Sequence, residues 1–149
     1  MGDIPCPHRS GRETRNGRKA QAMHKWIDHI VVRVKDLDRS LEDYETKLGL
    51  KAEAPPEDEP HLGLRRAILP LGESGRFIEL AEPLGDGAIA RSLEKNGEGL
   101  HLVALAVDDL EAAKAEMAGN GARLIEATGM VFVHPADGHG VLYQLIERE

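Results

Sequence analysis

His29-Ile-Val-Val-Arg-Val-Lys-Asp-Leu-Asp38 can be laid without a gap on Leu102-Val-Ala-Leu-Ala-Val-Asp-Asp-Leu-Glu111. Val34 falls on Val107, Asp36 on Asp109 and Leu37 on Leu110. Each copy reads as a strand that runs into a helix. Apolar and β-branched residues come first, then an aspartate whose carboxylate can accept a free N–H of the first helical turn, then an apolar residue.

The pattern extends outward from both copies. In the first, Trp26 to Val34 is the strand, and the helix begun at Asp36 carries Leu37, Leu41, Tyr44 and Leu48 on one stripe before Gly49 stops it. A proline- and acid-rich loop, Ala54 to Pro60, precedes two further strands, Leu64 to Leu71 and Arg76 to Ala81, divided by the turn residues Gly72 to Gly75. In the second copy Leu100 to Val107 is the strand. The helix after Asp109 presents Leu110, Ala113 and Met117 and ends at Gly119 and Gly121. Strands follow at Ala122 to Glu126, Met130 to His134 and Gly140 to Glu147. Ile89, Ala90 and Leu93 are spaced as a short helix in the joining segment, residues 83–99. The chain therefore reads as α+β, two tandem β-α-β-β-β modules over about residues 24–85 and 98–149, in one domain spanning 23–149. A repeat unit that cannot bury its own apolar face must pack on its neighbour.

Totals agree with one domain. The chain has 149 residues, 41% of them hydrophobic, and only five aromatic residues, so the core must be aliphatic. No apolar run approaches the roughly 20 residues of a membrane span, and no signal-peptide pattern opens the sequence. The single cysteine, Cys6, has no partner in the chain, which fits a reducing cytoplasm. Residues 1–22 hold Arg9, Arg12, Arg15, Arg18 and Lys19 against Asp3 and Glu13, a balance of +3 that reads as a disordered basic tail. Set against the whole-chain charge of −7, it leaves −10 on residues 23–149. So acidic a body is a poor partner for nucleic acid, whose phosphates need Lys and Arg on the binding face.

Four motifs add a family resemblance: Ile27-Asp28-His29, Ile78-Glu79-Leu80-Ala81-Glu82-Pro83-Leu84, Leu93-Glu94-Lys95-Asn96-Gly97-Glu98-Gly99-Leu100-His101 and Gly140-Val141-Leu142-Tyr143-Gln144-Leu145. Their order and spacing resemble the vicinal oxygen chelate superfamily, which includes glyoxalase I and the bleomycin-resistance proteins, and within it the methylmalonyl-CoA epimerase branch. The resemblance covers about residues 26–147. It implies two βαβββ modules forming a cupped mixed sheet, in which one residue from each of four strands holds a divalent metal (Co, Mn, Ni or Zn). Such a metal polarises a substrate carbonyl and stabilises the enolate formed on proton removal. A homodimer is implied by the same analogy.

Carried onto this chain, the four positions are His29, Glu79, Leu102 and Gln144. His29 is expected as metal ligand or acid. Glu79 is expected as metal ligand or base; between Ile78 and Leu80 it must face opposite to them, and a carboxylate on an inner face needs a cation, or an ion-pair partner such as Arg33 or Arg76. The third position falls on Leu102, with His101 one residue off, so strand alternation sends His101 to the other side unless a bulge turns it back. The fourth is Gln144 where the epimerases carry glutamate. It brings no charge and can act only as an orienting donor or neutral ligand, and Glu147, three residues on, faces away. The remaining set of His29, Glu79 and Gln144 encodes a weak or absent metal site. Arg65 and Arg66 are taken as an exposed pair, of which strand alternation lets at most one point inward.

The expected function is proton transfer next to a carbonyl of a small acyl or CoA-type substrate by an isomerase, epimerase or lyase, with His29 and Glu79 as catalytic residues and Gln144, Leu102 and His101 as pocket residues. The same two catalytic residues can serve as a metal-free acid–base couple. The alternative is a metal-free small-molecule binding protein of the bleomycin-resistance kind.

Overall fold

In the computed structural model, which describes residues 23–149, the two repeated strands lie side by side. The tail expected over residues 1–22, with Cys6, lies outside the described residues. Strands β1 (His24–Arg33) and β5 (Gly99–Val107) pair antiparallel at the centre of one curved, open sheet. Strand β4 (Phe77–Pro83) runs parallel to β1, and β8 (Tyr143–Glu147) runs parallel to β5. Strands β3 (Leu64–Pro70) and β2 (Glu57–Glu59) extend one side; β7 (Met130–Val133) and β6 (Leu124–Ala127) extend the other. The order is β2-β3-β4-β1-β5-β8-β7-β6, so each half is the same β-α-β-β-β unit.

Two helices cover one face. Leu37 of α1 (Leu37–Leu48) is fully buried against Val34, Ala67, Leu69 and Leu80. In the other half Ala113 of α3 (Leu110–Gly119) packs on Val107, Val131 and Leu145. Both helices begin as the sequence predicts. Asp36 accepts from Arg39 N at 3.1 Å and Asp109 accepts from Ala112 N at 3.0 Å. A second carboxylate reaches each helix start from the sheet: Glu82 accepts from Leu37 N, and Glu147 from Leu110 N. Glu147 thus does face away from the opposite side, and its charge sits where a helix N-terminus favours an anion.

The opposite face forms the cup. Val31, Leu64, Ala81, Leu102 and Ala104 line it, and α2 (Ala88–Asn96), the joining helix, lays Ile89 among them. The acidic loop yields a strand the sequence does not predict. β2 is three acidic residues, held to β3 where Arg65 and Arg66 stand opposite Asp58 and Glu57. The last strand starts at Tyr143 rather than Gly140, because residues 134–141 fold back on themselves through Gly138 N→Pro135 O and Gly140 N→Pro135 O bonds. No helix of the described residues is long and apolar enough to cross a membrane.

The central pairing contains three register shifts, one at His24/Trp26 and two others that are matched. Ile27 pairs with Leu105 and His29 with Ala104, leaving Asp28 as an extra residue on β1. Val31 pairs with Leu102 and Val32 with Leu100, leaving His101 as an extra residue on β5. Ile30 and Val103 pair midway between the two bulges.

Candidate functional site

Strand pleat decides what reaches the cup. From β1 come His29, Val31 and Arg33, and from β4 come Phe77, Glu79 and Ala81, because alternate residues share a face. The face is fixed by Val31, Ala81, Leu102 and Ala104, which form one apolar cluster. Ile146 of β8 packs on that cluster, as does Leu142 just before the strand, so Gln144, two residues from each, shares their face. The four family positions are all buried there: His29 is 8% exposed, Glu79 6%, Leu102 7% and Gln144 8%.

The positions interlock through register. His29 stands opposite Phe77 on one side and Ala104 on the other, and Ala104 stands opposite Gln144. Glu79 stands opposite Val31, which stands opposite Leu102. His29 and Glu79 are therefore diagonal neighbours on adjacent strands, and Leu102 and Gln144 repeat that diagonal in the other half. The His29 ring is fixed by stacking on Phe77, with ring centroids 4.4 Å apart and planes 8° from parallel. Its Nδ1 lies 2.7 Å from Oδ2 of Asp28.

Burial pushes the Glu79 carboxyl up, against the opposing pull of Arg66 and of His29. Its ion-pair partner is Arg66, 3.1 Å away, and not Arg33 or Arg76. Arg33 is buried with Nε donating to Gly97 O at 2.6 Å and Nη1 donating to Leu100 O, while Arg76 lies over the Trp26 ring. Arg66 and Arg65 are not an exposed pair either. Arg66 points into the cup, where it also meets Glu59 at 3.3 Å, and Arg65 turns to the helix face toward Asp38, Asp58 and Glu82.

His101 is the bulged residue of β5, so the alternation that separates it from Leu102 in a regular strand does not hold. Its Nδ1 is buried without a hydrogen-bond partner among the described residues, and burial, then the nearby Arg33 charge, lower its pKa to about 4. The Nδ1 of His24 is likewise buried without a partner among the described residues.

Two residues of this neighbourhood, Asp28 and Arg148, escape sequence reasoning, and a third, Arg66, is left undirected by it. Asp28 is 2% exposed, and Arg148 donates to it from Nε at 2.8 Å and from Nη2 at 3.1 Å. Burial alone would raise the Asp28 carboxyl, yet the bonds from Arg148 and His29 carry it below its usual range. No signal in the sequence marks the bulge that places Asp28 beside His29. For Arg66, the acidic run Glu57 to Glu59 was the available clue.

The donor set can be tested against the metal that the resemblance implies. It offers one imidazole nitrogen, one neutral amide and one carboxylate that already faces a guanidinium, while Leu102 offers nothing. A cation at Glu79 would also sit next to the fixed positive charge of Arg66. Among the described residues, no three His, Cys, Asp or Glu side chains form a group that could hold a metal ion. These residues do not fit a divalent metal shell.

Comparison with known proteins agrees with the geometry of the sheet. The model of the Glyoxalase/Bleomycin resistance protein/Dioxygenase superfamily matches residues 28–143. The ethylmalonyl-CoA/methylmalonyl-CoA epimerase of Cereibacter sphaeroides is 35% identical over 130 residues, 80% of this chain and 95% of the relative. A Streptomyces coelicolor methylmalonyl-CoA epimerase variant, solved in complex with 2-nitronate-propionyl-CoA, superposes with a TM-score of 0.75 at 32% identity, covering 83% of this chain and 94% of that one. Methylmalonyl-CoA epimerase from Mycobacterium tuberculosis gives 0.77 at 31% identity, covering 91% and 96%.

Proposed function

The chain belongs to the glyoxalase/bleomycin resistance protein/dioxygenase superfamily, where it resembles the methylmalonyl-CoA epimerases, and from that premise we propose that it epimerises a small acyl-CoA by proton transfer next to the thioester carbonyl. The observation that carries this reading is the buried diagonal of His29 and Glu79 on adjacent strands of the cup. Such a couple supplies what an epimerisation needs, a base to take the α-proton and an acid to return one. The His29 imidazole takes the proton from carbon, and the electron pair of the broken C–H bond moves into the carbonyl as an enolate. Glu79, whose carboxyl burial pushes up, gives a proton to the opposite face of the carbon, and the carboxylate left behind is met by Arg66. The product leaves with its configuration inverted, His29 protonated and Glu79 ionised, and the reverse reaction restores both. Arg66, beside Glu79, brings a positive charge toward the enolate, and the Gln144 amide orients the acyl group.

Further support comes from the substrate-like acyl-CoA in the Streptomyces relative's complex. The test is deuterium uptake at the α-carbon of methylmalonyl-CoA in heavy water, followed by proton NMR. Exchange that vanishes in His29→Ala, and epimerisation that vanishes in Glu79→Gln, support the proposal; no exchange by the native chain removes it.

A second reading, a metal-free binding protein in the same cup, is favoured by Leu102 and Gln144, which remove an imidazole and a charge from two family positions. Acyl-CoA binding measured by calorimetry without any exchange selects it. A homodimer is proposed on the same analogy, and sedimentation equilibrium reads it directly.

A further inference from the structure

Asp28 and His29 are consecutive on a strand, where side chains ordinarily point to opposite faces. Here the bulge at Asp28 breaks that rule, and the two side chains meet at 2.7 Å. A buried carboxylate is costly unless it is fully paired, and Asp28 is paired on both oxygens: Oδ1 accepts from Arg148 Nε, and Oδ2 accepts from Arg148 Nη2 and faces His29 Nδ1. Arg148 is itself anchored. Its backbone N–H donates to Val107 O at 2.9 Å and its carbonyl accepts from Lys25 Nζ at 3.1 Å. The last turn of the chain is thereby tied to the centre of the sheet at the residue next to His29.

We infer that Asp28, held by Arg148, is a positioning residue that fixes the His29 imidazole in its Nδ1–H tautomer and leaves Nε2, with its lone pair, as the nitrogen offered to the cup. The inference deepens the proposed function, since a base must present an unprotonated nitrogen. An ionised carboxylate only accepts hydrogen bonds, so the ring nitrogen facing Asp28 must be the one that carries the proton. Stacking on Phe77 then prevents the ring from turning over. Arg148 adds direction. Its shorter bond is to Oδ1, so in an Asp28→Asn chain the amide oxygen stays on Arg148 and the amide N–H faces His29 Nδ1. That reverses the demand on the ring and moves the proton to Nε2.

The experiment labels the histidines of the full chain with nitrogen-15 and records long-range proton–nitrogen correlations at a pH where imidazole is neutral, with His29→Gln to assign the signal. The native chain is expected to show Nδ1–H for His29, Asp28→Asn to show Nε2–H, and Arg148→Gln to show a mixture of the two. In parallel, α-proton exchange is expected to fall about 100-fold or more in Asp28→Asn and about 10-fold in Arg148→Gln, the range seen when a histidine loses its orienting partner. Arg148 lies at the surface, so its variant gives a reading even if Asp28→Asn does not fold. An Nε2–H tautomer in the native chain, or the same tautomer in native, Asp28→Asn and Arg148→Gln chains, overturns the inference. The tautomer shifts without any exchange by the native chain uphold the positioning and discard the epimerase reading instead.

Discussion

Asp28 on β1 and His101 on β5 are counterparts, each the extra residue of a bulge, placed symmetrically about the Ile30–Val103 pair. The gapless alignment of the two halves puts them on each other, as it puts His29 on Leu102. The backbone device is repeated, but its chemistry is not. Asp28 finds Arg148 and His29, whereas His101 has a buried Nδ1 with no partner among the described residues and sits near the Arg33 charge.

This orphaned histidine makes stability depend on pH. Burial, followed by Arg33, takes the His101 imidazole from 6.5 to about 4 in the folded chain. Between those values the unfolded chain binds a proton that the folded chain refuses, so stability rises with pH across the window and is lost as pH falls through it. The effect has a ceiling of about 3 kcal/mol. Urea unfolding at pH 7 and pH 5 measures it: the native chain should lose more than His101→Gln, and equal losses would refute the assignment. The comparison between chains cancels the downward shift that burial gives His24.

Much of the fold is legible because its signals are local. Asp36 and Asp109 announce helices, Gly49 ends one, and apolar runs mark the strands of both halves. What escapes the sequence depends on a partner strand. β2 has no apolar residue and exists because Arg65 and Arg66 face it across a ladder. Asp28 and His29 belong to opposite faces until β5 is laid alongside with its own register. Glu79 was legible as an inward carboxylate, but its cation lay on a third strand, in a pair of arginines that spacing alone left undirected.

Arg66 is the neutralising partner of Glu79, and its removal should leave the carboxylate stranded. The folded Glu79 pKa is already raised above its unfolded value, so its contribution is fully present below the unfolded pKa and is lost as pH rises through the folded one. Arg66→Met raises the folded pKa further. Its cost should be small at pH 5 and about 2–3 kcal/mol at pH 8, since a buried charge without a partner is penalised. Chemical denaturation of Arg66→Met with and without Glu79→Gln checks this: the double variant should lose the extra pH dependence.

The twin helix caps should behave alike. Asp36 and Asp109 have nearly the same backbone conformation, with φ of −134° and −133°, and each accepts one N–H of the first turn. Asp36→Ala and Asp109→Ala should each cost about 1 kcal/mol. For a chain of this size that lowers Tm by roughly 2–4 °C. Scanning calorimetry of the two single variants and the double tests the symmetry, and the double should be close to additive because the caps lie in different halves.

The last prediction concerns divalent metals. His29 and Glu79 form one diagonal of the cup, and Leu102 and Gln144 form the matching diagonal across the central strands. One diagonal supplies an imidazole and a carboxylate; the other supplies a hydrocarbon and an amide. The native chain should therefore show no change in Tm with Co, Mn, Ni or Zn ions and none after chelator treatment. Leu102→His with Gln144→Glu makes the second diagonal chemically equal to the first. That double variant should gain about 2.7 kcal/mol when the metal is present at 100 times its dissociation constant. Arg66, still facing Glu79, should hold the gain down, and adding Arg66→Gln should raise it. Thermal shift together with metal analysis of the purified chains is the measurement. Stoichiometric metal in the native chain, lost with a fall in Tm on chelation, would contradict the reading of Leu102 and Gln144.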